Sequence, residues 1–315
     1  MGHRVFIDGE AGTTGLQIRA RLQHRPDLDL VSLPPEIRKN PGARAEALNS
    51  ADAVILCLPD EAAREAVRLI ENPATRVIDA STAHRTSEGW TYGFPEMAPQ
   101  QRAAIRTSTR ISNPGCYATG FIGLVRPLVE AGLTPRDQPL SVNAVSGYSG
   151  GGKAMIAEFE GEGAAGHTRT PYRIYATGLR HKHLPEMRIH AGLRRSPVFS
   201  PAVGRFAQGM LVEVPLQLWA LPGAPRLREM HRALADAYRG EPFVEVASLE
   251  ESATTLTLDP EGLNGSNRMK LWVFGDEDAG QARLVAQLDN LGKGASGAAV
   301  QNLNLVLGAP ESEGL

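Results

Sequence analysis

The stretch RVFIDGEAGTTGL, residues 4–16, decides the fold. Arg4 to Asp8 reads as a short buried strand, and a turn holding Gly9, Gly12 and Gly15 comes at once after it. Leu16, Ile18 and Leu22 then recur at helical spacing. Strand, glycine turn and helix in that order form the phosphate-binding unit of a dinucleotide fold. The glycines let backbone approach a pyrophosphate. Thr13 and Thr14 fall at the helix N-terminus, where free N–H groups and the dipole favour an anion. The spacing is G-x-x-G-x-x-G rather than G-x-G-x-x-G, so the motif gains its weight from the elements on its C-terminal side.

Those elements alternate between strand and helix. Residues 28–33 form a second strand, 43–49 a short helix, and 53–58 a third strand, purely apolar and so central in a parallel sheet. Asp60 is expected to cap a helix running to Glu71, and residues 76–79 form a fourth strand. Pro59 ends the third strand at its carboxyl edge, where open α/β sheets bind ligands. A site preferring NAD carries an acid at the end of the second strand for the ribose 2′-hydroxyl. Here Leu33 is followed by two prolines and then by Arg38 and Lys39, which points to the 2′-phosphate of NADP(H). A solvated charge pair on a loop is the competing reading of those two cations.

Residues 110–120 hold Cys116, one of only two cysteines, directly after Asn113-Pro-Gly. Phe121, Ile122, Leu124, Val125 and Leu128 continue at helical spacing, which puts Cys116 in the first turn of a helix. That position favours thiolate over thiol and offers N–H groups to a developing oxyanion. A small buried residue opening a core helix is the plainer reading. Cys57, inside the apolar third strand, reads as core.

Further on, residues 146–153 form a polar, glycine-rich loop (Ser146, Gly147 and Ser149 among them) ending in Lys153. It suits an anionic group, or else is a flexible connector. In residues 180–187, His181, His183 and Glu186 crowd together, with a histidine available as general acid/base to a thiolate. The loop is expected to be extended, with the two histidines pointing opposite ways. His-x-His alone falls short of a zinc ligand set, so no metal is expected. Longer, mixed strands over 210–221, 268–274 and 281–288 imply an α+β second half. A last helix, with Leu303, Val306 and Leu307 on one face, opens at a turn containing Gly292 and Gly294. That turn is expected to lie near the cofactor, and residues 310–315 read as a frayed tail.

At 315 residues the chain suggests two domains. The division expected is a Rossmann-type α/β domain over 1–115, completed by 290–315, and a catalytic, oligomerising α+β domain over 116–289. A net charge of −2 gives no reason to expect nucleic acid or an anionic membrane as partner. No apolar run approaches the length of a membrane span. Two distant cysteines and no apolar leader imply a reducing, cytoplasmic setting.

These motifs together resemble the N-acetyl-gamma-glutamyl-phosphate reductase family, in its shorter form, over nearly the whole chain. The match is carried by residues 6–15, Asn113-Pro-Gly-Cys-Tyr-Ala-Thr119, 146–153, His181-Lys-His-Leu-Pro-Glu186 and 292–297. The family's longer form differs in the first loop and near the phosphate loop, so contacts there transfer least. The resemblance implies a homo-oligomer, dimer or tetramer, and NADPH-dependent reduction of a small acyl phosphate to an aldehyde in arginine biosynthesis. It implies Cys116 as nucleophile and His181 and His183 as catalytic partners. Glu186, Ser146, Gly147, Ser149, Lys153 and Asn113 then serve the substrate, and Gly9, Gly12, Thr13, Thr14, Gly15, Arg38, Lys39, Pro59, Gly292 and Gly294 the cofactor. The rival readings are the related reductase of a carrier-bound acyl phosphate in lysine synthesis, a cysteine hydrolase, and a non-enzymatic dinucleotide sensor.

Overall fold

A computed structural model describes residues 2–315. The chain divides into two compact units, one made of the chain up to Gly115 with Ala295–Leu315, the other of Cys116–Gly294. In the first, β1 (His3–Asp8), α1 (Thr13–Leu22), β2 (Leu28–Val31), α2 (Pro41–Ser50), β3 (Ala53–Leu56) and α3 (Asp60–Arg68) alternate. They continue with β4 (Arg76–Asp79), β5 (Thr91–Tyr92), α4 (Gln101–Thr107) and β6 (Arg110–Ser112). All pairings are parallel, in the order β2-β1-β3-β4-β6-β5. The strand period of two sorts the apolar residues to two faces. Val5, Ile7, Ala53, Ile55 and Ile78 pack with Ile18, Leu22, Ile105 and Leu303. Phe6, Val54, Leu56 and Val77 pack with Ala47, Leu48, Ala63 and Ala66. All four residues of β3 are buried, as a strand covered on both faces requires.

Three details differ from the sequence reading. Pro59, not Asp60, is the N-cap of α3. The Asp60 carboxylate instead accepts the Thr82 N–H at 2.9 Å and its hydroxyl at 2.5 Å, tying the start of α3 to the loop after β4. That helix stops at Arg68, where the C-cap N–H of Leu69 closes back on Glu65 and Ala66. The residues after Ala309 are tied down rather than frayed. Glu311 pairs with Arg102 at 2.7 Å, the Asn304 amide donates to the carbonyls of Glu311 and Glu313, and Leu315 joins the core.

The second unit opens with α5 (Cys116–Glu130) and runs β7 (Ser141–Gly147), α6 (Gly152–Glu160), β8 (Tyr172–Ile174), α7 (Leu184–His190) and β9 (Val198–Gly204). It continues with β10 (Met210–Gln217), α8 (Leu227–Ala237), β11 (Val244–Val246), α9 (Leu249–Thr254), β12 (Met269–Asp276) and β13 (Gln281–Leu288). The chain then enters α10 (Gly297–Leu307) of the first unit. The seven strands form one mixed sheet in the order β11-β12-β13-β10-β7-β9-β8. Helix α5 lies close against it, because Gly120 and Gly123 present no side chains there. A Cβ at Gly120 would stand 2.9 Å from Val212, and one at Gly123 2.7 Å from the Met269 methyl. The other face of the sheet carries a groove of about 600 Å³ lined by Val145, Leu211, Leu258, Phe274 and Val285 among others. Near it Tyr172, Ile174 and Leu256 are exposed, Leu256 by 93%.

Candidate active site

Cys116 is the first residue of α5 and is half-buried. The backbone at Gly294 passes so near that a Cβ there would lie 2.8 Å from the Cys116 Cβ. Gly292 is equally constrained, since its Cβ would meet the Ser266 carbonyl oxygen at 2.1 Å. Gly294 thus lies against the cysteine, in the same unit as Cys116.

The histidine segment is not extended. Between β8 and α7 the backbone takes positive φ at two non-glycine residues, Ala176 (52°) and Leu179 (55°). The left-handed region costs an ordinary residue roughly 1 kcal/mol or more, and such strain gathers at functional sites. A second turn, closed by the Leu184 N–H on the His181 carbonyl at 3.1 Å, holds the rings of His181 and His183 together, centroids 4.7 Å apart and edge to face, so the opposed orientation is corrected. Pro185 stands in the first turn of α7, whose N-cap is His183. Glu186, in the same turn and 1% exposed, places its carboxylate 3.9 Å from His183 Nε2.

Two tyrosines complete the cluster: Tyr117, quoted in the sequence only as part of the cysteine motif and given no role, and Tyr175, which drew no notice. His181 Nδ1 accepts the His183 backbone N–H at 3.1 Å, so the neutral ring carries its proton on Nε2. That nitrogen lies 3.4 Å from Tyr175 Oη, which donates to Tyr117 Oη at 3.2 Å, which donates to the Ala202 carbonyl at 3.1 Å. The donors run in one direction along the chain. Burial pushes the Tyr117 phenol well above its ordinary 10.0, helped by the neighbouring Tyr175 and Cys116 charges. Burial likewise pushes Tyr175 up to about 12, with Cys116 again raising it. Tyr117 follows Cys116 directly in α5.

The glycine-rich loop is an ordered turn. Tyr148–Gly151 form a 3-10 turn and α6 begins at Gly152, in left-handed conformation (φ 71°). The N–H groups of Gly147, Tyr148 and Ser149 donate to the carbonyls of Gly209, Phe206 and Ala207, so they are not open to an anion. Ser146 and Ser149 are buried, Ser149 accepting from the Asn290 amide at 3.0 Å. Lys153 is half-buried in the first turn of α6. Asn113, in the first unit, is also internal. Its amide donates to the Ala295 carbonyl and accepts from Asn302, while its backbone meets Asp79 and Arg85.

The first unit brings the other candidates together. Gly9, Gly12, Arg38 and Lys39 line one cleft of about 370 Å³ with Glu10, Leu33, Arg44 and Cys57. The turn depends on its glycines: Gly9 has φ +88° and a Cβ there would lie 2.4 Å from the Cys57 carbonyl oxygen, while one at Gly15 would meet the Gly9 carbonyl at 2.5 Å. The first turn of α1, with Thr13 and Thr14, has Gly12 as N-cap and no side-chain cap, which leaves those amides to a ligand. A dinucleotide phosphate fits this cradle. Pro59 caps α3 but is not among the lining residues. Cys57 lies one residue past β3, on the cleft; burial, then Asp79 and Asp8, push its thiol up to about 12. Beneath, Asp8 and Arg44 form a buried ion pair at 2.9 Å, and burial still holds the Asp8 carboxyl above its ordinary value. Among the described residues no cluster of three or more His, Cys, Asp or Glu side chains could hold a metal.

A dinucleotide cleft on a parallel sheet, followed by a cysteine-led helix over a mixed sheet, defines the semialdehyde dehydrogenase class of oxidoreductases. The NAD binding domain model of that class matches residues 35–105, and its dimerisation domain model matches residues 116–290. More narrowly, the chain belongs to the N-acetyl-gamma-glutamyl-phosphate reductase family. It is 56% identical to the N-acetyl-gamma-glutamyl-phosphate reductase of Brucella anthropi over 98% of this chain and 99% of that one. With the Brucella ovis protein of the same name it shares 55% identity over 98% and 100%. Among solved structures it resembles aspartate semialdehyde dehydrogenase II of Vibrio cholerae, complexed with ASA (TM-score 0.71, 15% identity, 98% of each chain). It also resembles the aspartate semialdehyde dehydrogenase of Candida albicans with NADP (TM-score 0.64, 13% identity, 98% and 99% of the chains). These distant structures carry the fold alone.

Proposed function

We propose that this enzyme reduces N-acetyl-gamma-glutamyl phosphate to N-acetylglutamate 5-semialdehyde and phosphate, in arginine biosynthesis, with NADPH as reductant. The observation that carries the reading is Cys116 at the start of α5, next in the chain to Tyr117, whose hydroxyl is linked through Tyr175 to His181, in a chain 56% identical to a reductase of that name. The Cys116 thiolate attacks the acyl carbon. Its sulfur forms a thioester as the C–O bond to phosphate breaks, and phosphate leaves with the electron pair. NADPH, when bound, supplies the hydride that takes the thioester to the aldehyde level. His181 protonates the oxyanion left by hydride addition and takes the same proton back as the thiohemiacetal collapses, its C–S bond breaking to release aldehyde and thiolate.

His181 is the acid/base of this scheme, since its ring is half-buried and its proton lies on Nε2, whereas His183 is buried beside Glu186. Glu186 holds His183 in place, and Lys153 with the start of α6 attracts the departing phosphate. Gly9, Gly12, Thr13, Thr14 and Gly15 hold the pyrophosphate, with Arg38 and Lys39 at the 2′-phosphate. The protein is a cytoplasmic homo-oligomer: both cysteines are free thiols, and the apolar face of the mixed sheet, in a segment matching a dimerisation domain, is the surface that pairs.

The test is phosphate-dependent reduction of NADP+ by N-acetylglutamate semialdehyde, the reaction run in reverse. Turnover with the free semialdehyde is expected. Turnover only when the acyl group is presented on a carrier protein would refute the reading in favour of lysine synthesis.

A further inference from the structure

At the ribose end of the cleft, the residue directly after β2 is Ser32, where an NAD-selecting fold places an acid. A carboxylate is nevertheless there, delivered by another route. Glu10, from the glycine turn, lines the cleft and accepts the Ser32 hydroxyl on Oε2 at 3.1 Å. The same oxygen receives Arg19 Nη1 of α1 at 2.5 Å, and that Nη1 also lies 2.5 Å from Ser32 Oγ. The carboxylate thus stands at the carboxyl end of β2 with its charge matched by a cation from outside the cleft lining. The remaining rim cations are Arg38 and Lys39, both exposed, because Arg44 is held by Asp8.

We propose that Glu10 reads the 2′-substituent of the adenosine ribose, and that Arg19 sets the outcome by neutralising it. With Arg19 in place Glu10 is neutralised, both Arg38 and Lys39 are left unopposed, and the rim accepts a 2′-phosphate. Without it, Glu10 becomes an acceptor for a 2′-hydroxyl and repels a phosphate, as the acid after β2 does elsewhere. The neutralised carboxylate explains how an acid at this place is compatible with NADPH. The proposal rests on reading the cleft as a dinucleotide site that prefers NADPH.

Dissociation constants for NADP+ and NAD+, measured by calorimetry on the full-length protein, test it without reference to turnover. Glu10→Gln should raise the preference for NADP+ by roughly threefold to tenfold, and Arg19→Ala should lower it by a similar factor. Arg19→Lys should recover part of the loss, and the Glu10→Gln/Arg19→Ala double variant should return near the wild-type ratio. Both shifts should shrink as salt is raised. Thermal melts confirm that each variant is folded. Single variants that leave the ratio unmoved, or move it in the same direction, overturn the proposal. A wild-type protein that prefers NAD+ would instead defeat the NADPH reading, and opposite shifts in the two variants would still uphold the role of Glu10.

Discussion

His181 and His183 sit two residues apart, share an edge-to-face contact and differ in what they can do. The His181 ring has one nitrogen committed to the His183 N–H and the other turned to the Tyr175 hydroxyl, in a hydrogen-bond chain anchored on the Ala202 carbonyl that fixes its tautomer and orientation. His183 is 4% exposed and faces the Glu186 carboxylate. Losing a general acid/base lowers turnover by about a hundredfold to ten-thousandfold. His181→Asn is therefore expected to fall in that range. His183→Asn should lose less. Equal, small losses in both would remove the pair from the proton path. The sequence showed this cluster's composition but not its geometry. Nothing in Ala176 or Leu179 marks a left-handed residue, a conformation ordinarily signalled by glycine or asparagine, so the turn that leads into the histidine segment was invisible.

At the scale of elements, the legible parts were those with local causes. The strand, glycine turn and helix of residues 3–22 arise from periodicity and from turns that only glycine can make. Cys116 at the head of α5 is set by a Pro-Gly turn and the apolar run behind it. The illegible parts depend on partners distant in sequence. The amides of Gly147 to Ser149 are claimed by residues 206–209, and the last residues are held by Arg102 and Asn304, which no local pattern announces. Gly294 is the sharpest case. It read as one more glycine of a cofactor loop, and no local pattern announces that its backbone passes beside Cys116. Gly294→Ala would force a methyl to within 2.8 Å of the Cys116 Cβ, in backbone that has little room to yield. Turnover should drop at least about a hundredfold, since misplacement by roughly an ångström costs that much. Affinity for NADP+ should change little. A variant with near-normal turnover would show that the cysteine's placement does not depend on this contact.

At the scale of the whole molecule, both units were anticipated as a Rossmann-type domain and an α+β domain, because β-strands alternating with helices and long mixed strands leave different sequence patterns. Stability should carry the imprint of the buried groups in each unit. The Cys57 thiol is raised from 9.0 to about 12, Tyr175 from 10.0 to about 12, and Tyr117 is also raised well above 10.0. The unfolded chain releases these protons first, so it binds fewer than the folded state between about pH 9 and 12. Their contribution is complete below pH 9 and is lost as pH rises through the folded values, at most about 1.4 kcal/mol per group per pH unit. Urea midpoints should fall steeply between pH 9 and 11; a flat profile would mean these groups ionise freely in the folded protein. The central claim, that reduction passes through a thioester on Cys116, is tested most directly by intact mass spectrometry. The protein is mixed with N-acetyl-gamma-glutamyl phosphate in the absence of cofactor. We expect one N-acetylglutamyl adduct, mapped to the Cys116 peptide, discharged on adding NADPH and absent in Cys116→Ser. An adduct on Cys57, or full turnover by Cys116→Ser, would contradict the account.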